Sequence, residues 1–286
     1  MKLSVIIVSW KVKDKLKANL EALFRSQVDF AWEVLVVDNN SGDGTVEMLK
    51  NNFSQVKLIV NDDNAGFARA NNQAIPETQG DFILLLNPDM LVAQDTLAKM
   101  TAWMDNKPAA WVAGCHLVDT AEQTITNVRR FPRLADQLAV AAKVAHLYPQ
   151  VLHQYLRKDF DYNKESKVDS LRGSFFMMRR SCLEQVGLLD ERFFVWFEEV
   201  DYCRRVAEAG GEVWYTPVAE ATDLVGQSFA QWPTARAQAI FKDSQLKYWR
   251  KWQPRWQVWL LHCGWFVGKV VISVAGLFKI SGKTKT

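Results

Sequence analysis

The chain lacks the two glycine-rich loops that most often bind phosphate in α/β proteins. After the first apolar run it reads Ser9-Trp10-Lys11-Val12-Lys13, without the G-x-G-x-x-G fingerprint of a dinucleotide-binding turn. A Walker A loop is also missing. These absences argue against a dehydrogenase and against a P-loop nucleotide binder. If the protein binds a nucleotide, its phosphate charge has to be neutralised by other means, such as a cation held by carboxylates.

The chain also has few cysteines and a small net charge. Cys115, Cys182, Cys203 and Cys263 have no spacing typical of a metal or redox site, and their scatter favours reduced thiols in a cytosolic compartment. A formal net charge of +3 is too small to indicate nucleic-acid binding. The apolar run Leu3–Val8 is too short for a signal peptide and is interpreted as a strand. The length of 286 residues suits one large α/β domain with or without an appendage.

Apolar runs and helical spacing alternate through the first 104 residues. This alternation predicts a Rossmann-like, mainly parallel sheet with helices on both faces. The predicted strands are Leu3–Ser9, Glu33–Asp38, Val56–Val60 and Phe82–Leu86, and the predicted helices are Asp14–Ser26, Asp43–Asn52, Phe67–Ile75 and Gln94–Met104.

The pattern is looser after residue 110. The long segment from Asp119 to Asp169 is typical of a lid or an acceptor-binding region. Predicted elements here are the strands Trp111–Leu117, Asp169–Arg179 and Glu212–Tyr215 and the helices Leu134–Leu147 and Glu198–Ala209.

The C-terminal tail is rich in tryptophan and poor in charge. The run Val258–Ile280 contains only Lys269 and Lys279 as charged residues, and Lys283 and Lys285 follow it. Tryptophan flanked by lysine favours a helix that lies on a membrane surface. Two alternatives stay open, namely a spanning helix, in which Lys269 would be costly, and packing on the protein's own core.

Two predicted strands end in a carboxylate. Pro88 terminates the strand Phe82–Leu86, so that Asp89 leaves the sheet at the edge where open α/β sheets bind ligands and is able to ligate a hard cation. Alternatively, Asp89 caps the helix that starts near Gln94. Asp38 similarly ends the second strand, where it is able to accept hydrogen bonds from a base or ribose, or else to shape the turn with Ser41.

Two helix starts carry unusual polar residues. Asn64 and Gly66 precede the helix Phe67–Ile75, whose N-terminus is a candidate contact for an anion or nucleotide, and an N-cap role for Asn64 is the alternative. Glu198 and Glu199 follow five bulky apolar residues. The helix dipole alone favours such a pair, but the apolar setting would also raise a carboxylate pKa into the range of a general base. Asp201 would orient Glu198 or contact an acceptor hydroxyl.

Taken in order, these motifs resemble the inverting family 2 glycosyltransferases of the A-type fold, and especially their bacterial rhamnosyltransferase-like branch. The resemblance covers most of residues 1 to 230. It runs through Ser4–Trp10, Val34–Ser41, Asn64–Asn72, Gly80–Asp89, Leu171–Arg180, Gly187–Arg205 and Trp214–Ser228.

The resemblance implies a nucleotide-diphosphate-sugar donor and a magnesium or manganese ion. Asp89 stands at the family's metal-binding acidic position. Arg172 and Gly173 stand where the family has residues that flank the donor sugar. Alternatively, Gly173 only relieves crowding within a strand. The implied donor-binding residues are Ser9, Asp38, Asn40, Asn64, Gly66, Asn71, Asp89, Arg172 and Gly173.

The same resemblance implies that the glutamate pair deprotonates the acceptor hydroxyl, with Glu199 as the base and Glu198 second. The family carries Glu-Asp at this place, so Glu199 is longer by one methylene. The family often has a histidine in the segment that here reads from Ala221 to Ser228. Asp223 stands in its place, either as a second metal ligand or as a surface residue.

The implied function is transfer of a sugar, with rhamnose expected from the branch, to a hydroxyl of a glycan or lipid-linked acceptor in cell-surface polysaccharide synthesis. Residues 1–230 would form the catalytic domain, with 1–110 binding the donor and 111–230 the acceptor, and 231–286 a membrane-associating tail. The expected location is cytoplasmic, on the inner face of the plasma membrane. A non-catalytic sugar-nucleotide-binding protein and a nucleotidyltransferase are the alternatives.

Overall fold

The structure, a computed structural model, describes residues 1–145, 147, 149–224 and 234–281, the last eight of them without side chains. Its strands are β1 (Leu3–Ser9), β2 (Trp32–Asp38), β3 (Lys57–Val60), β4 (Phe82–Leu86), β5 (Met90–Val92), β6 (Ala110–Val118), β7 (Val128–Arg129), β8 (Ser166–Lys167), β9 (Ser170–Leu171), β10 (Phe175–Arg179) and β11 (Glu212–Asp223). Its α-helices are α1 (Lys13–Leu23), α2 (Thr45–Asn52), α3 (Phe67–Ala74), α4 (Thr96–Asn106), α5 (Leu134–Ala141), α6 (Arg180–Val186), α7 (Glu198–Glu208), α8 (Thr234–Trp252) and α9 (Arg255–Ser281).

The main sheet has the strand order β3-β2-β1-β4-β10-β6-β11-β5, with β8 paired to β11. The strands β3, β2, β1 and β4 are parallel to one another, as the alternating pattern predicts. Beyond β4 the sheet is mixed, because β10 lies antiparallel between β4 and β6 and β5 pairs antiparallel with β11. The predicted α/β fold class is confirmed.

Both faces of this sheet are buried, which explains why its inner strands are continuous apolar runs. Alternate residues enter different cores, so that Val5 and Leu84 pack on one face while Ile6 and Leu85 pack on the other. Helices α1, α2 and α4 cover the first face, and α3, α6 and α7 cover the second.

Three predicted elements differ most from the structure, whereas the others differ by at most three residues at either end. The predicted strand Asp169–Arg179 is two strands, β9 and β10, separated by Arg172-Gly173-Ser174, and β9 pairs with β7 in a small second sheet. Helix α5 ends at Ala141, and Lys143 has a positive φ of 61°. In contrast, β11 continues past Tyr215 to Asp223 through an irregularity in its pairing with β6.

The beginning of the predicted tail packs against the start of α7. Leu246, Tyr248 and Trp249 of α8 share a buried cluster with Phe197 and Val200 at the start of α7. Val258 and Leu261 of α9 belong to the same cluster. The domain division at residue 230 stays a prediction, but α8 and the first half of α9 contribute to the core. Among the described residues, no helix combines the length and apolar character needed to cross a membrane.

Candidate active site

The carboxyl ends of β1, β2 and β4 meet at one edge of the sheet. Ser9 lies opposite Asp38, and Ile7 lies opposite Leu86, so the segment after β4 begins beside Val8. A small pocket opens here between the sheet, α3 and the loop before α7. Its lining is Val8, Trp10, Asn39, Asn64, Gly66, Phe67, Asn87, Pro88, Phe194 and Val195.

Asp38 is fully engaged in the turn after β2. The Ser41 N–H donates to Oδ2 (3.0 Å) and the Ser41 hydroxyl to Oδ1 (2.5 Å), and Asp38 is 1% exposed. Ser41 Oγ also accepts from the Lys11 N–H, which ties the turns after β1 and β2 together. Asp38 and Ser41 thus shape the turn, as the alternative interpretation states. Ser41 caps no helix, because Asp43 accepts the bonds from Thr45 at the start of α2. The nucleoside-binding role of Asp38 stays a prediction.

Ser9 and Asn40 flank this turn. The Ser9 side chain is buried, and within the described residues its hydroxyl has no hydrogen-bond partner. Asn40 is exposed and adopts a positive φ of 55°, and its side-chain amide donates to the Asp62 carbonyl (2.6 Å). Both residues therefore lie at the predicted donor-binding edge of the sheet.

The start of α3 is held by the loop before α7. The Phe67 N–H donates to the Phe194 carbonyl (2.7 Å), so this N–H is directed at protein. A ligand contact at the helix N-terminus stays a prediction and would have to use the other N–H groups of the first turn. Gly66 has a φ of +82°, and a Cβ there would lie 2.4 Å from the same carbonyl. Asn64 does not cap the helix but accepts from the Gly66 N–H (3.0 Å) and from Asn39 (3.3 Å).

Two asparagines inside α3 have distinct environments. Asn72 exchanges two hydrogen bonds with the backbone of Leu189 and donates to Glu191, which anchors the loop before α7. Asn71 donates to the Phe67 carbonyl, and in the described part of the chain its buried Oδ1 accepts no bond. Asn71 is therefore the member of the pair with hydrogen-bonding capacity left for a ligand.

Asp89 and Asp223 lie side by side on neighbouring strands. The Leu224 N–H donates to the Asp89 carbonyl (3.0 Å), and Asp223 pairs with Met90. Both carboxylate residues are buried. The helix-cap alternative for Asp89 is wrong, because the chain enters β5 directly and α4 begins only at Thr96. The surface alternative for Asp223 is wrong as well. Residues 225–228 of the same predicted motif lie outside the described residues.

Two buried carboxylate residues on neighbouring backbone segments are candidate ligands for a hard divalent cation. The residues described here contain no group of three or more acidic, histidine or cysteine side chains arranged for a metal. A cation bound by Asp89 and Asp223 therefore has to complete its coordination with oxygens of a ligand or water. Arg172 Nη1 lies 3.7 Å from Asp223 Oδ2, so a positive side chain also reaches this place.

Asn19 supports the Asp89 segment and was not predicted. Its side-chain amide donates to the carbonyls of Asn87 (3.1 Å) and Met90 (2.6 Å), which holds both ends of the turn that contains Asp89. Asn19 is fully buried on the apolar face of α1 between Leu16 and Leu23. A polar residue on an otherwise apolar helix face was the sequence signal that would have identified it.

Glu199 lies where the donor edge meets a second pocket. A Cβ on Gly173 would be 3.7 Å from Glu199 Cβ and 3.8 Å from the Phe67 ring, so Gly173 separates α3 from α7. The second pocket has a volume of about 270 Å³. It is lined by Arg129, Tyr155, Leu171, Arg172, Trp196, Phe197, Glu199, Val200 and Phe241.

Burial raises the pKa of both glutamates. For Glu199 the charges of Arg172 and Arg129 act in the opposite direction, whereas for Glu198 the neighbouring Glu199 charge adds to burial and raises the pKa further. Each carboxyl group has one buried oxygen without a hydrogen-bond partner among the described residues. Of the two, only Glu199 lines the pocket. The geometry therefore favours Glu199 as a group that exchanges a proton with a ligand.

The backbone before these glutamates is strained. Trp196 and Phe197 both adopt positive φ values, 66° and 72°, which bulky residues rarely do. Helix α8 holds this conformation, since the Ser244 hydroxyl donates to the Val195 carbonyl (2.8 Å) and the Phe241 ring contacts both aromatic side chains. The part of the chain predicted as a tail thus positions the glutamate pair.

Asp201 faces away from the glutamates, so its predicted role beside Glu198 is wrong. Its carboxylate is fully buried and accepts from Arg205 Nε (3.0 Å), Lys251 Nζ (2.7 Å) and Trp252 Nε1 (2.7 Å). Lys251 also pairs with Asp190 (2.9 Å). These hydrogen bonds and ion pairs connect α8 with α7.

Replacing Glu198 with glutamine is expected to stabilise the protein more at pH 8 than at pH 5. The folded-state pKa of Glu198 is raised above its ordinary value of 4.5, so the native state retains a proton that the unfolded state releases. Stability is therefore lost as the pH rises above 4.5 towards the folded-state pKa, by about 1.4 kcal/mol for each pH unit crossed between the unfolded-state and folded-state pKa values. Melting temperatures of both proteins between pH 5 and 8 test this, and parallel curves would contradict it.

The sequence is similar to those of known proteins. The model of the family "Glycosyl transferase family 2" matches residues 4–187. An N-acetylglucosaminyl-diphospho-decaprenol L-rhamnosyltransferase from Mycobacterium tuberculosis is 27% identical over 225 residues, which cover 74% of this chain and 73% of that protein. The rhamnosyltransferase WbbL from Escherichia coli is 26% identical over 225 residues, covering 76% and 81%.

Solved structures share the fold. A mannosyltransferase from Pyrobaculum calidifontis, determined in complex with GDP-Man and Mn²⁺, superimposes with a TM-score of 0.59 at 16% identity, covering 96% of this chain and 75% of that one. The predicted A-type fold is confirmed by this likeness.

Proposed function

Because the chain belongs to glycosyltransferase family 2, we propose that it transfers a sugar from a nucleotide-diphosphate-sugar to a hydroxyl of a lipid-linked diphosphate sugar. The predicted family is confirmed. The proposed acceptor class is supported by the name of the mycobacterial relative, an N-acetylglucosaminyl-diphospho-decaprenol L-rhamnosyltransferase. The proposed role of the reaction is in cell-surface polysaccharide synthesis. Rhamnose is the proposed sugar, since both of the relatives described above are named rhamnosyltransferases.

The position of Glu199 is the observation that carries this proposal. Its carboxylate lines a pocket next to the donor edge, and burial raises its pKa, which favours proton transfer from an acceptor hydroxyl. Glu199 accepts the proton of the acceptor hydroxyl while that oxygen attacks the anomeric carbon. The bond between the sugar and the nucleoside diphosphate breaks in the same step, and a single displacement inverts the anomeric centre.

Asp89 and Asp223 are the residues that would hold a divalent cation. When bound, magnesium or manganese would neutralise charge on the diphosphate. Arg172, which lies beside Asp223, contributes a fixed positive charge at the same place.

Replacing Asp89 with asparagine is expected to abolish stabilisation by manganese together with a nucleoside diphosphate. The change removes one of two carboxylate charges while keeping the side-chain volume. Thermal melts with UDP, GDP and dTDP, each with and without MnCl₂, measure the effect, because a ligand at 100 times its Kd stabilises a protein by about 2.7 kcal/mol. Asp63→Asn, at an exposed position, is the control. A manganese-dependent shift that survives in Asp89→Asn would refute the metal assignment.

We also propose that α9 attaches the protein to the cytoplasmic face of the plasma membrane. At 3.6 residues per turn, five of the six large apolar side chains that the described part of α9 exposes fall within about one third of the helix circumference, and Ile272 falls outside it. The helix is flanked by cations, since Lys242 and Arg250 act together with burial to lower the pKa of His262, and Lys269 is exposed. This combination suits an anionic lipid surface. The five residues are Trp256, Trp259, Phe266, Val267 and Val270.

The double variant Trp259→Ser/Phe266→Ser is expected to lose most of its binding to vesicles that contain phosphatidylglycerol. Point changes are preferable to truncation, because Val258, Leu261 and Trp265 of the same helix are buried in the protein. Co-sedimentation with phosphatidylglycerol and with phosphatidylcholine vesicles measures binding. Val60→Ser removes an exposed apolar side chain elsewhere and serves as the control. Unchanged sedimentation of the double variant would rule out this face as the attachment site.

A further inference from the structure

Arg129 lines the same pocket as Glu199, and its guanidinium has no carboxylate partner among the residues that the structure describes. It lies at the end of β7, and burial lowers its pKa, which shows that its charge is poorly solvated. Its Nη1 donates to the carbonyl of its own neighbour Val128 (2.8 Å), and within the described residues no carboxylate forms an ion pair with it.

Such a group is unusual because arginine stays protonated in proteins and a partly buried charge is costly unless it is paired. The carboxyl group whose charge acts on Arg129 is that of Glu199, and burial raises the pKa of Glu199 itself. The pocket therefore has an excess of positive charge around Arg129, and an anionic group of a ligand would compensate it.

The two arginines of the pocket have different surroundings. Arg172 pairs with Asp223 and so lies towards the proposed cation and donor diphosphate. Arg129 has no such contact, and it pairs in sheet register with Ser170, two residues before Arg172. Tyr155 lies beside Arg129 in the pocket, and burial raises its pKa to about 12, so its hydroxyl keeps its proton at neutral pH and is a donor.

We infer that Arg129 binds a phosphate group of the acceptor, on the opposite side of the acceptor sugar from the hydroxyl that Glu199 deprotonates. This rests on the proposed function, since it requires an acceptor sugar between Glu199 and Arg129. The aromatic side chains of Trp196, Phe197 and Phe241 form the remaining wall of the pocket. Recognition of a phosphate here selects sugars that are attached to a diphosphate carrier over neutral glycans.

The test compares two acceptors that differ only in the phosphates. One is N-acetylglucosamine joined through a diphosphate to a short alkyl chain, and the other is the alkyl glycoside of the same sugar. Values of kcat/KM for each acceptor, and KM for the donor, are measured for the wild type, Arg129→Gln and Arg130→Gln. Arg130 is the matched control because it lines a separate cleft with Phe131 and Arg204.

Arg129→Gln is expected to lower kcat/KM for the diphosphate acceptor roughly 10- to 100-fold, the range for one charge-assisted hydrogen-bonded contact. Because the Arg129 charge also lowers the pKa of Glu199, its removal affects the base with both acceptors alike, and the ratio of the two kcat/KM values is the quantity that should fall by this factor. The donor KM should change less than about threefold, and Arg130→Gln should resemble the wild type. Equal losses on both acceptors would overturn the inference. A raised donor KM with the acceptor preference intact would assign Arg129 to the donor diphosphate instead.

A measurement on the unaltered protein keeps the inference testable if Arg129→Gln does not fold. An alkyl diphosphate without sugar should inhibit competitively against the diphosphate acceptor and not against the donor. Competition against the donor alone would overturn the inference. If the wild type transfers sugar to neither acceptor from any nucleotide sugar, the proposed function itself fails, whereas transfer without preference for the diphosphate acceptor refutes only the role of Arg129.

Discussion

Replacing Glu199 with glutamine is expected to reduce sugar transfer by roughly 10²- to 10⁴-fold, the usual contribution of a general base. Glutamine keeps the size of the side chain but accepts no proton. The variant should bind the nucleoside diphosphate as the wild type does, because Glu199 lines the second pocket and not the pocket at the ends of β1, β2 and β4. Initial rates and thermal shifts with the nucleotide measure the two properties separately.

Glu198→Gln is the matched comparison, since it makes the same chemical change one residue earlier at a position that does not line the pocket. We expect its transfer rate to stay within about tenfold of the wild type. In the wild type, kcat should fall as the pH drops through the raised pKa of Glu199, so that the acidic limb lies above 4.5. Full loss in Glu198→Gln with activity retained in Glu199→Gln would reverse the assignment.

Replacing Gly66 with alanine is expected to destabilise the protein by about 2–5 kcal/mol and to weaken donor binding. The left-handed backbone at Gly66 costs a residue with a Cβ about 1–2 kcal/mol, and overpacking adds about 1–3 kcal/mol. The new methyl group would lie 2.4 Å from the Phe194 carbonyl, which accepts the Phe67 N–H, so the start of α3 and the loop before α7 would have to separate.

Gly187→Ala separates the backbone cost of the substitution from the cost of overpacking. Gly187 has the same φ of +82°, but a Cβ there meets nothing within 4 Å among the described residues. This control should cost only the conformational part, and its nucleotide binding should be unchanged. Denaturant unfolding gives both free energies. Equal destabilisation by the two substitutions would show that the contact between Gly66 and Phe194 is unimportant.

The parallel half of the sheet was predictable because its strands are buried on both faces. Runs such as Phe82–Leu86 have no polar residue, so β1 and β4 have their predicted bounds and β2 begins one residue early. The insertion of β10 between β4 and β6 was not predictable, because periodicity does not specify pairing direction or order. The role of α8 was missed for a related reason, since its contacts with Val195 and Asp201 join residues about 50 positions apart.

The candidate site was predictable where its residues follow strand ends. Asp89 and Asp223 lie together because β5 and β11 pair, although the sequence left the place of Asp223 open. The sequence does not show which polar groups have a hydrogen-bond or ion-pair partner in the folded protein, so roles that depend on such partners could not be predicted. The guanidinium of Arg129, which has no carboxylate partner among the described residues, and the occupied N–H of Phe67 follow only from the packing around them. Asp201 was assigned a role that it does not have. Helical spacing alone suggested that it lies beside Glu198, but in the fold its carboxylate binds Lys251 and Trp252.

The anomeric configuration of the first product tests the single-displacement chemistry most directly. The wild type is incubated with a nucleotide sugar of defined configuration and the diphosphate-linked acceptor, and the configuration of the new glycosidic bond is assigned from NMR coupling constants. A base at Glu199 that acts on the acceptor hydroxyl predicts the configuration opposite to that of the donor. Retention of the donor configuration would contradict the account.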